Sequence, residues 1–505
     1  MSESSGLEAL RERKAPLEMS PGQFREIGHR LVDRIAERLA GVPRGLVKPD
    51  ESPAEIRKAL GAERSLPAAG GDAGELLAEA VDLLFDHSLF NAHPRFFGYI
   101  TSSPAPIGMF GDFLAAALNA NVGAHQLAPA ATEIEGQVIR WIAELIGFPT
   151  SGGGLLVSGG NMANTVCFLA ARAARAPWDV RKEGMRRELV AYASVETHGW
   201  LKKAADMSGL GTDAIRWIAT DREGRMDVQD LRRRIEEDLR LGQRPFLVVG
   251  TAGSVSTGAV DPLPEIAAIC KERGLWFHVD GAYGALAAQV EGAPASLRAL
   301  SAADSVAVDP HKWLYAPLEA GCVLVRDTAT LHNAFSYHAS YYHFDDQAVN
   351  YFDLGPQNSR GFRALKVWLA LRQVGSAGQL KMIGDDMRLA RHLHEIVAQH
   401  PELEATSQAL SITTFRYVPA DLRPRLGAES VESYLDELNQ KLLTAVEQSG
   451  EAFLSNALVD GRFALRACVV NFHTRLSDVE SLPPLVCRLG REIDASLRTT
   501  GAIAG

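Results

Sequence analysis

What this chain lacks excludes several function classes at once. No apolar run approaches the ~18 residues that a membrane-crossing helix needs. The opening stretch MSESSGLEALRERK is polar, without the apolar core of a secretory signal. Neither a membrane span nor export is expected, and the cytoplasm is the default compartment. The five cysteines, Cys167, Cys270, Cys322, Cys468 and Cys487, form no CxxC pair and no Cys/His metal spacing. Four lie in or beside apolar stretches, as small core residues do in a reducing compartment, and no metal is expected. Basic charge is nowhere concentrated: 52 Lys and Arg stand against 62 Asp and Glu, for a net charge of -10. The densest cluster, Arg232 to Arg234, lies among acids in LRRRIEEDLR and reads as a solvated helix face. No nucleic-acid partner is expected. The chain has no solenoid-period repeat and no long low-complexity segment. It also has no GxGxxG fingerprint and no P-loop, which disfavours dinucleotides and nucleoside triphosphates.

What is present suits a large folded enzyme. The 505 residues are 46% hydrophobic and 23% charged, enough for an extensive core and two or three domains. Ser20 and Pro21 suit the start of a helix, and Phe24, Ile27, Leu31, Ile35 and Leu39 then fall at helical spacing. Further helices are expected near 75–89, 109–118 and 132–146. From about Gly152, short β-rich runs (LLVS, ELVAYAS, AIRWIAT, FLVVGTAG, LWFHVD, SVAVD, GCVLVRD) alternate with helical ones. That alternation predicts an α/β domain with a mostly parallel sheet covered on both faces. The last two runs are joined by HKWLYAP, which suggests a departure from simple βαβ there. The stretch 340–359 reads as a functional loop. Beyond about Leu403, strands such as ITTFRYV and ALRACVV alternate with helices, as in a small α+β domain. The expected division is a helical segment over 1–105, a large domain over 106–375 and a small one over 376–505.

Three stretches bring chemistry to one sheet edge. LLVSGGNMANTVCFLAAR reads as strand, glycine turn and helix. Gly159 and Gly160 allow close backbone approach, and the helix starting near Asn161 offers free N–H groups to a phosphate. A plain strand-to-helix turn would also need glycine, so this stretch alone decides little. GLWFHVDGAYGA places Asp280 at the carboxyl end of a buried strand, where ligands bind in open α/β sheets. Asp is also common there as a cap. A protonated pyridine nitrogen would supply the cation that a buried carboxylate needs. SVAVDPHKWLYAP brings Asp309, His311 and Lys312 to the same edge. A lysine there can snorkel to solvent, but a desolvated amine can also shed its proton and form an imine.

HVDGAYG followed some thirty residues later by DPHKW closely resembles the group II pyridoxal-phosphate decarboxylases. Aromatic-L-amino-acid decarboxylases are the nearest in pattern, with glutamate and histidine decarboxylases more distant. The resemblance runs from HPRFFGY to about FRALKVW. It implies the aspartate aminotransferase fold (type I PLP-dependent transferase-like), pyridoxal 5′-phosphate as cofactor and a homodimer. Residue by residue it implies Lys312 as the Schiff-base lysine and Asp280 as the pyridinium partner. Ala282 would lie under the ring, and His198 would stack on it. Gly160 and Asn161 would form the phosphate seat, with Asp309 and His311 alongside. Tyr341, in HASYY, would protonate the product carbon, with its loop serving the partner's site. Tyr99, Ile100 and Ser102 would line the substrate side chain.

The chain departs from the family at several points. The phosphate turn is SGGNMAN rather than a Ser-Ala-Ser type. Asp309 stands where animal members carry Asn, and an Asp beside a phosphate is repulsive unless paired or turned away. Val255 replaces a cofactor-touching Thr, with Ser254 as the available substitute, and Ile100 replaces an aromatic. The expected reaction is decarboxylation of an aromatic L-amino acid: tryptophan, tyrosine, phenylalanine or DOPA. The alternatives are a non-aromatic substrate, an oxygen-using aldehyde synthase on the same scaffold, or an inactive PLP-binding regulator. Retention of both Tyr341 and His198 favours decarboxylation.

Overall fold

Local chemistry sets the helix starts. The computed structural model describes residues 10–11, 13, 15–186, 188–337 and 348–499. By contact density the chain divides into two units, Met1–Phe90 and Asn91–Gly505. In the first, helix α1 (Pro21–Gly41) opens on a reciprocal capping box between Ser20 and Gln23. Helix α2 (Pro53–Leu60) repeats the device with Ser52 and Glu55. Helix α3 (Ala73–Asp86) begins two residues earlier than its apolar pattern predicts, because the Asp72 carboxylate accepts the Gly74 and Glu75 N–H groups. Arg38 of α1 reaches Asp82 and Asp86 of α3, at 2.7 and 2.8 Å.

The second unit opens with α4 (Pro106–Leu118) and α5 (Pro129–Ile146). The expected alternation follows: β1 (Gly153–Val157), α6 (Gly160–Arg175), β2 (Leu189–Ser194), α7 (Trp200–Met207), β3 (Ile215–Ile218), α8 (Val228–Arg240), β4 (Arg244–Thr251), α9 (Leu263–Arg273), β5 (Trp276–Asp280), β6 (Ser305–Val308) and β7 (Gly321–Val325). These strands form one sheet in the order β1-β7-β6-β5-β4-β2-β3. Strands β2 to β6 pair in parallel, while β7 runs antiparallel to both β6 and β1. The irregular connection at HKWLYAP is this reversal. Every residue of β2, β5, β6 and β7 is buried, as a sheet covered on both faces requires.

Helix α10 (Ala329–Phe335) and the long α11 (Ala364–Gln399) follow, the latter broken at Gly375, where φ is 67°. Strands β8 (Leu403–Ala409) and β9 (Ile412–Tyr417), helix α12 (Glu429–Ser449), and strands β10 (Ser455–Val459) and β11 (Arg462–Cys468) then build an antiparallel sheet, ordered β10-β11-β9-β8. Helices α13 (Leu476–Glu480) and α14 (Leu482–Thr499) complete this α+β region. It has its own core, including Leu403, Phe415, Leu438, Leu465 and Val486. Among the described residues, no helix is long and apolar enough to cross a membrane. All five cysteines are buried and free, the four in apolar stretches as expected and Cys487 as well.

Candidate active site

The carboxyl ends of β4, β5 and β6 open onto the start of α6. A cavity of about 650 Å³ lies there, within the range of small-ligand sites. Of the residues singled out from the sequence, Ile100, Gly160, Asn161, His198, Asp280, Ala282, Asp309, His311 and Lys312 all line it.

The seat at α6 depends on glycine. Gly159 has φ of 124°, and its successor begins the helix. A Cβ on Gly160 would stand 2.5 Å from Asp309 Oδ2 and 3.1 Å from the Ala282 Cβ. Only hydrogen at that position leaves the first turn of the helix open.

Asp280 is held by two donors. Trp200 Nε1 donates to its Oδ2 at 2.7 Å, and the Ala282 N–H to its Oδ1 at 3.3 Å. A carboxylate accepts more hydrogen bonds than these two, so capacity is left for a group in the cavity. Behind it, His278 is bonded at both nitrogens, to Ser305 Oγ at 2.9 Å and Asn164 Oδ1 at 2.7 Å. Burial pushes His278 down to about 4, so the ring is neutral, and it packs edge-on against Trp200. Trp200 escaped the sequence reading. The signal for it was a large aromatic two residues after His198, at the start of a helix.

His198 Nδ1 accepts the Trp200 backbone N–H at 3.2 Å, which leaves the ring proton to Nε2. Burial lowers its pKa, more than Asp280 opposes. His311 Nδ1 accepts the Ala320 N–H at 3.1 Å, and its Nε2 faces Asp309 Oδ2 at 3.5 Å. Burial also lowers the His311 pKa. Lys312 Nζ lies 3.6 Å from Asp309 Oδ2. Burial raises the Asp309 carboxyl against the pull of Lys312 and His311, and its Oδ1 has no partner among the described residues.

The lysine turn is clamped from behind. Asp386 Oδ2, on α11, accepts from Trp313 Nε1 at 2.9 Å and from Tyr315 Oη at 2.8 Å. Gln379 Nε2 donates to the Trp313 carbonyl at 2.7 Å, and Tyr283 stacks on the Trp313 ring at 4.7 Å. Burial pushes Asp386 up to about 7.

Three expected site residues do not reach the cavity wall. Ser102 is buried, with its Oγ donating to the His311 carbonyl at 3.0 Å, so it supports the lysine turn. Tyr99 has φ of 50° and is 58% exposed, its ring tilted against Phe453 at 5.9 Å. Ser254 Oγ is engaged by Thr257, and it is the neighbours Gly253 and Val255 that line the cavity. Tyr341 lies outside the described residues. Glu196, Lys203, Met207 and Leu318 line the cavity without having been singled out. The one metal-like grouping among the described residues, His400, Glu402 and Cys487, lies elsewhere, and Arg491 already holds its carboxylate.

These residues fit pyridoxal 5′-phosphate. An open helix start bounded by glycine suits its phosphate, a buried carboxylate with spare acceptor capacity suits its pyridine nitrogen, and an amine at the same edge suits its aldehyde.

Comparison with known proteins agrees. Residues 55–418 match the family model of the pyridoxal-dependent decarboxylase conserved domain. An aromatic-L-amino-acid decarboxylase of Bacillus atrophaeus is 32% identical over 95% of this chain and 98% of its own. A phenylacetaldehyde synthase of Petunia hybrida is also 32% identical, over 89% of this chain and 91% of its own. The crystal structure of Oryza sativa TDC with PLP and tryptamine superimposes with a TM-score of 0.87 at 27% identity, covering 95% of this chain and all of that one. The fold is that of the group II PLP decarboxylases, and the chain belongs to the pyridoxal-dependent decarboxylase family as a PLP-using carboxy-lyase.

Proposed function

We propose that the protein removes the α-carboxylate of an aromatic L-amino acid, releasing carbon dioxide and the amine. The observation that carries the substrate class is the outer cavity wall. Ile100, Met162, Met207, Val255 and Leu318 contribute apolar surface, and no arginine lines the cavity among the described residues. An acidic side chain would find Glu196 and Glu319 beside it, with Lys203 as the cation not already assigned to the cofactor. An aromatic ring would find thioether and aliphatic contacts.

Bound there, the cofactor supplies an electron sink for the bond to the departing carboxylate. In this reading Lys312 anchors it and yields to the substrate amine. Asp280 keeps a proton on the pyridine nitrogen, and Trp200 fixes the orientation of that carboxylate. His198, neutral and oriented through Nδ1, provides a flat face for stacking. The walls orient the substrate so that the carboxylate bond is the one that breaks. Tyr341 returns a proton to the substrate carbon. The working unit is a homodimer in the cytoplasm, with Tyr341 acting at the partner's site.

Screening the twenty amino acids for carbon dioxide, with chromatography of the amines, tests the proposal. Release from tryptophan, tyrosine, phenylalanine or DOPA is expected. Release from glutamate or histidine alone would overturn the substrate class. The similarity to a phenylacetaldehyde synthase supports a second reading, oxygen-dependent aldehyde formation. Peroxide in step with carbon dioxide would select it.

A further inference from the structure

Asp309 sits where a negative charge would do most harm to an anion's seat. Its side chain is almost wholly buried. Its Oδ2 faces the first turn of α6, 2.5 Å from where a Gly160 Cβ would stand, and the carboxyl accepts the Gly160 N–H. Its Oδ1 is buried and has no partner among the described residues. The groups that face this carboxyl are Lys312 and His311 on its own turn, Asp280 at the end of β5, His198 before α7, Cys322 on β7 and the α6 backbone. Lys312 Nζ and His311 Nε2 are 3.6 and 3.5 Å from Oδ2, not from Oδ1. A phosphate seated on α6 would add two more negative charges. A like charge this close to a carboxylate in a site shielded from water is strongly repulsive. A carboxylic acid removes that repulsion, and it spares the buried oxygen that has no partner a share of charge.

We propose that Asp309 binds the cofactor's phosphate as a carboxylic acid, its carboxyl donating a hydrogen bond to a phosphate oxygen. The proton is taken from solvent as the cofactor binds, and no other bond changes. This rests on the reading of the α6 start as the phosphate seat. The burial that raises the Asp309 carboxyl works in the same direction.

The test uses the chain freed of cofactor and pyridoxine 5′-phosphate, which lacks the aldehyde and cannot condense with Lys312. Calorimetry at pH 8 in two buffers of different ionisation heat counts the protons taken up. Wild type is expected to take up about one proton more per molecule bound than Asp309→Asn. Its affinity should also fall up to about tenfold more steeply per pH unit above pH 7.5. Asp309→Ser, also neutral, should behave as Asn does. Pyridoxine without its phosphate should show no difference between the chains. Equal uptake by wild type and both variants overturns the proposal. So does an extra proton that survives Asp309→Asn and disappears in His311→Gln, because the imidazole then carries it. If pyridoxine binds as tightly as its phosphate ester, the phosphate seat is misassigned, and the site reading falls together with the proposal.

Discussion

The Trp200 indole N–H makes one hydrogen bond, to Asp280. Hydrogen bonds to charged groups contribute about 1.5–3 kcal/mol, and Trp200→Phe removes the one to Asp280 while keeping most of the ring's bulk. The variant should fold, bind cofactor more weakly and lose about ten- to a hundredfold in kcat/KM, read by steady-state kinetics beside cofactor absorbance. His198 gives a pH prediction. Burial depresses its pKa, so the neutral ring persists as pH falls to 6.5 and gains its proton only below that. The ratio of wild-type to His198→Asn activity should therefore stay level from pH 8 to 6.5 and decline at lower pH. A decline centred above pH 7 would mean that the working form is the cation. Tyr341→Phe should slow amine formation by about 10²–10⁴-fold, the usual contribution of a proton donor. Amine output, measured against carbon dioxide, reads this loss.

The sheet and its helices were largely legible because their signals are local. Apolar runs, period-3.6 patterns and the Ser20–Pro21 start gave α1, α6 and the succession of strands along the chain. The HKWLYAP interruption marked a departure from simple βαβ, but not that β7 reverses, because an apolar run does not encode its own direction. What sequence could not convey was long-range partnership. Ser102 lies in a turn-rich segment where the resemblance implies a pocket residue, yet it spans more than two hundred positions to bond the His311 carbonyl. Asp386, mid-helix in GDDMRLAR, looks like a solvated acid, but it holds Trp313 and Tyr315. That clamp has a measurable signature. The folded carboxyl is raised to about 7 from an ordinary 3.8, so the folded state binds more protons between those values. Wild type should accordingly lose stability relative to Asp386→Asn as pH rises through that window, by roughly 1–4 kcal/mol, and run parallel to it above pH 8. Urea unfolding at pH 5 and pH 8 reads the difference. At α6, Gly160→Ala forces a methyl into Asp309, and overpacking of this kind costs about 1–3 kcal/mol. Cofactor affinity should fall about tenfold or more by equilibrium titration.

At the scale of the whole molecule, α4 leaves Phe110, Phe113, Leu114 and Leu118 more than half exposed at helical spacing. A contiguous apolar stripe of this kind marks an association surface, which accords with the proposed homodimer. Sedimentation should give twice the 54.6 kDa of one chain. Phe113→Glu should shift the population toward the monomer, with activity falling in proportion. A wild-type protein that sediments as a monomer at full activity would remove the dimer from the mechanism.

Strand β7 works as a ruler between two parts of the site. One edge pairs with β6, Cys322 opposite Val308, at the threshold of the lysine turn. The other pairs with β1, Gly321 opposite Val157, two residues before the seat at Gly159. The Lys312 turn and the start of α6 are thus spaced by one strand and the ladders on its two edges, not by the many residues that separate them along the chain. A deletion or insertion within β7 would slide one relative to the other by about 3.3 Å and turn every side chain of the strand to the opposite face. Length variation among natural relatives should therefore be tolerated in the surface connections and absent from these five residues.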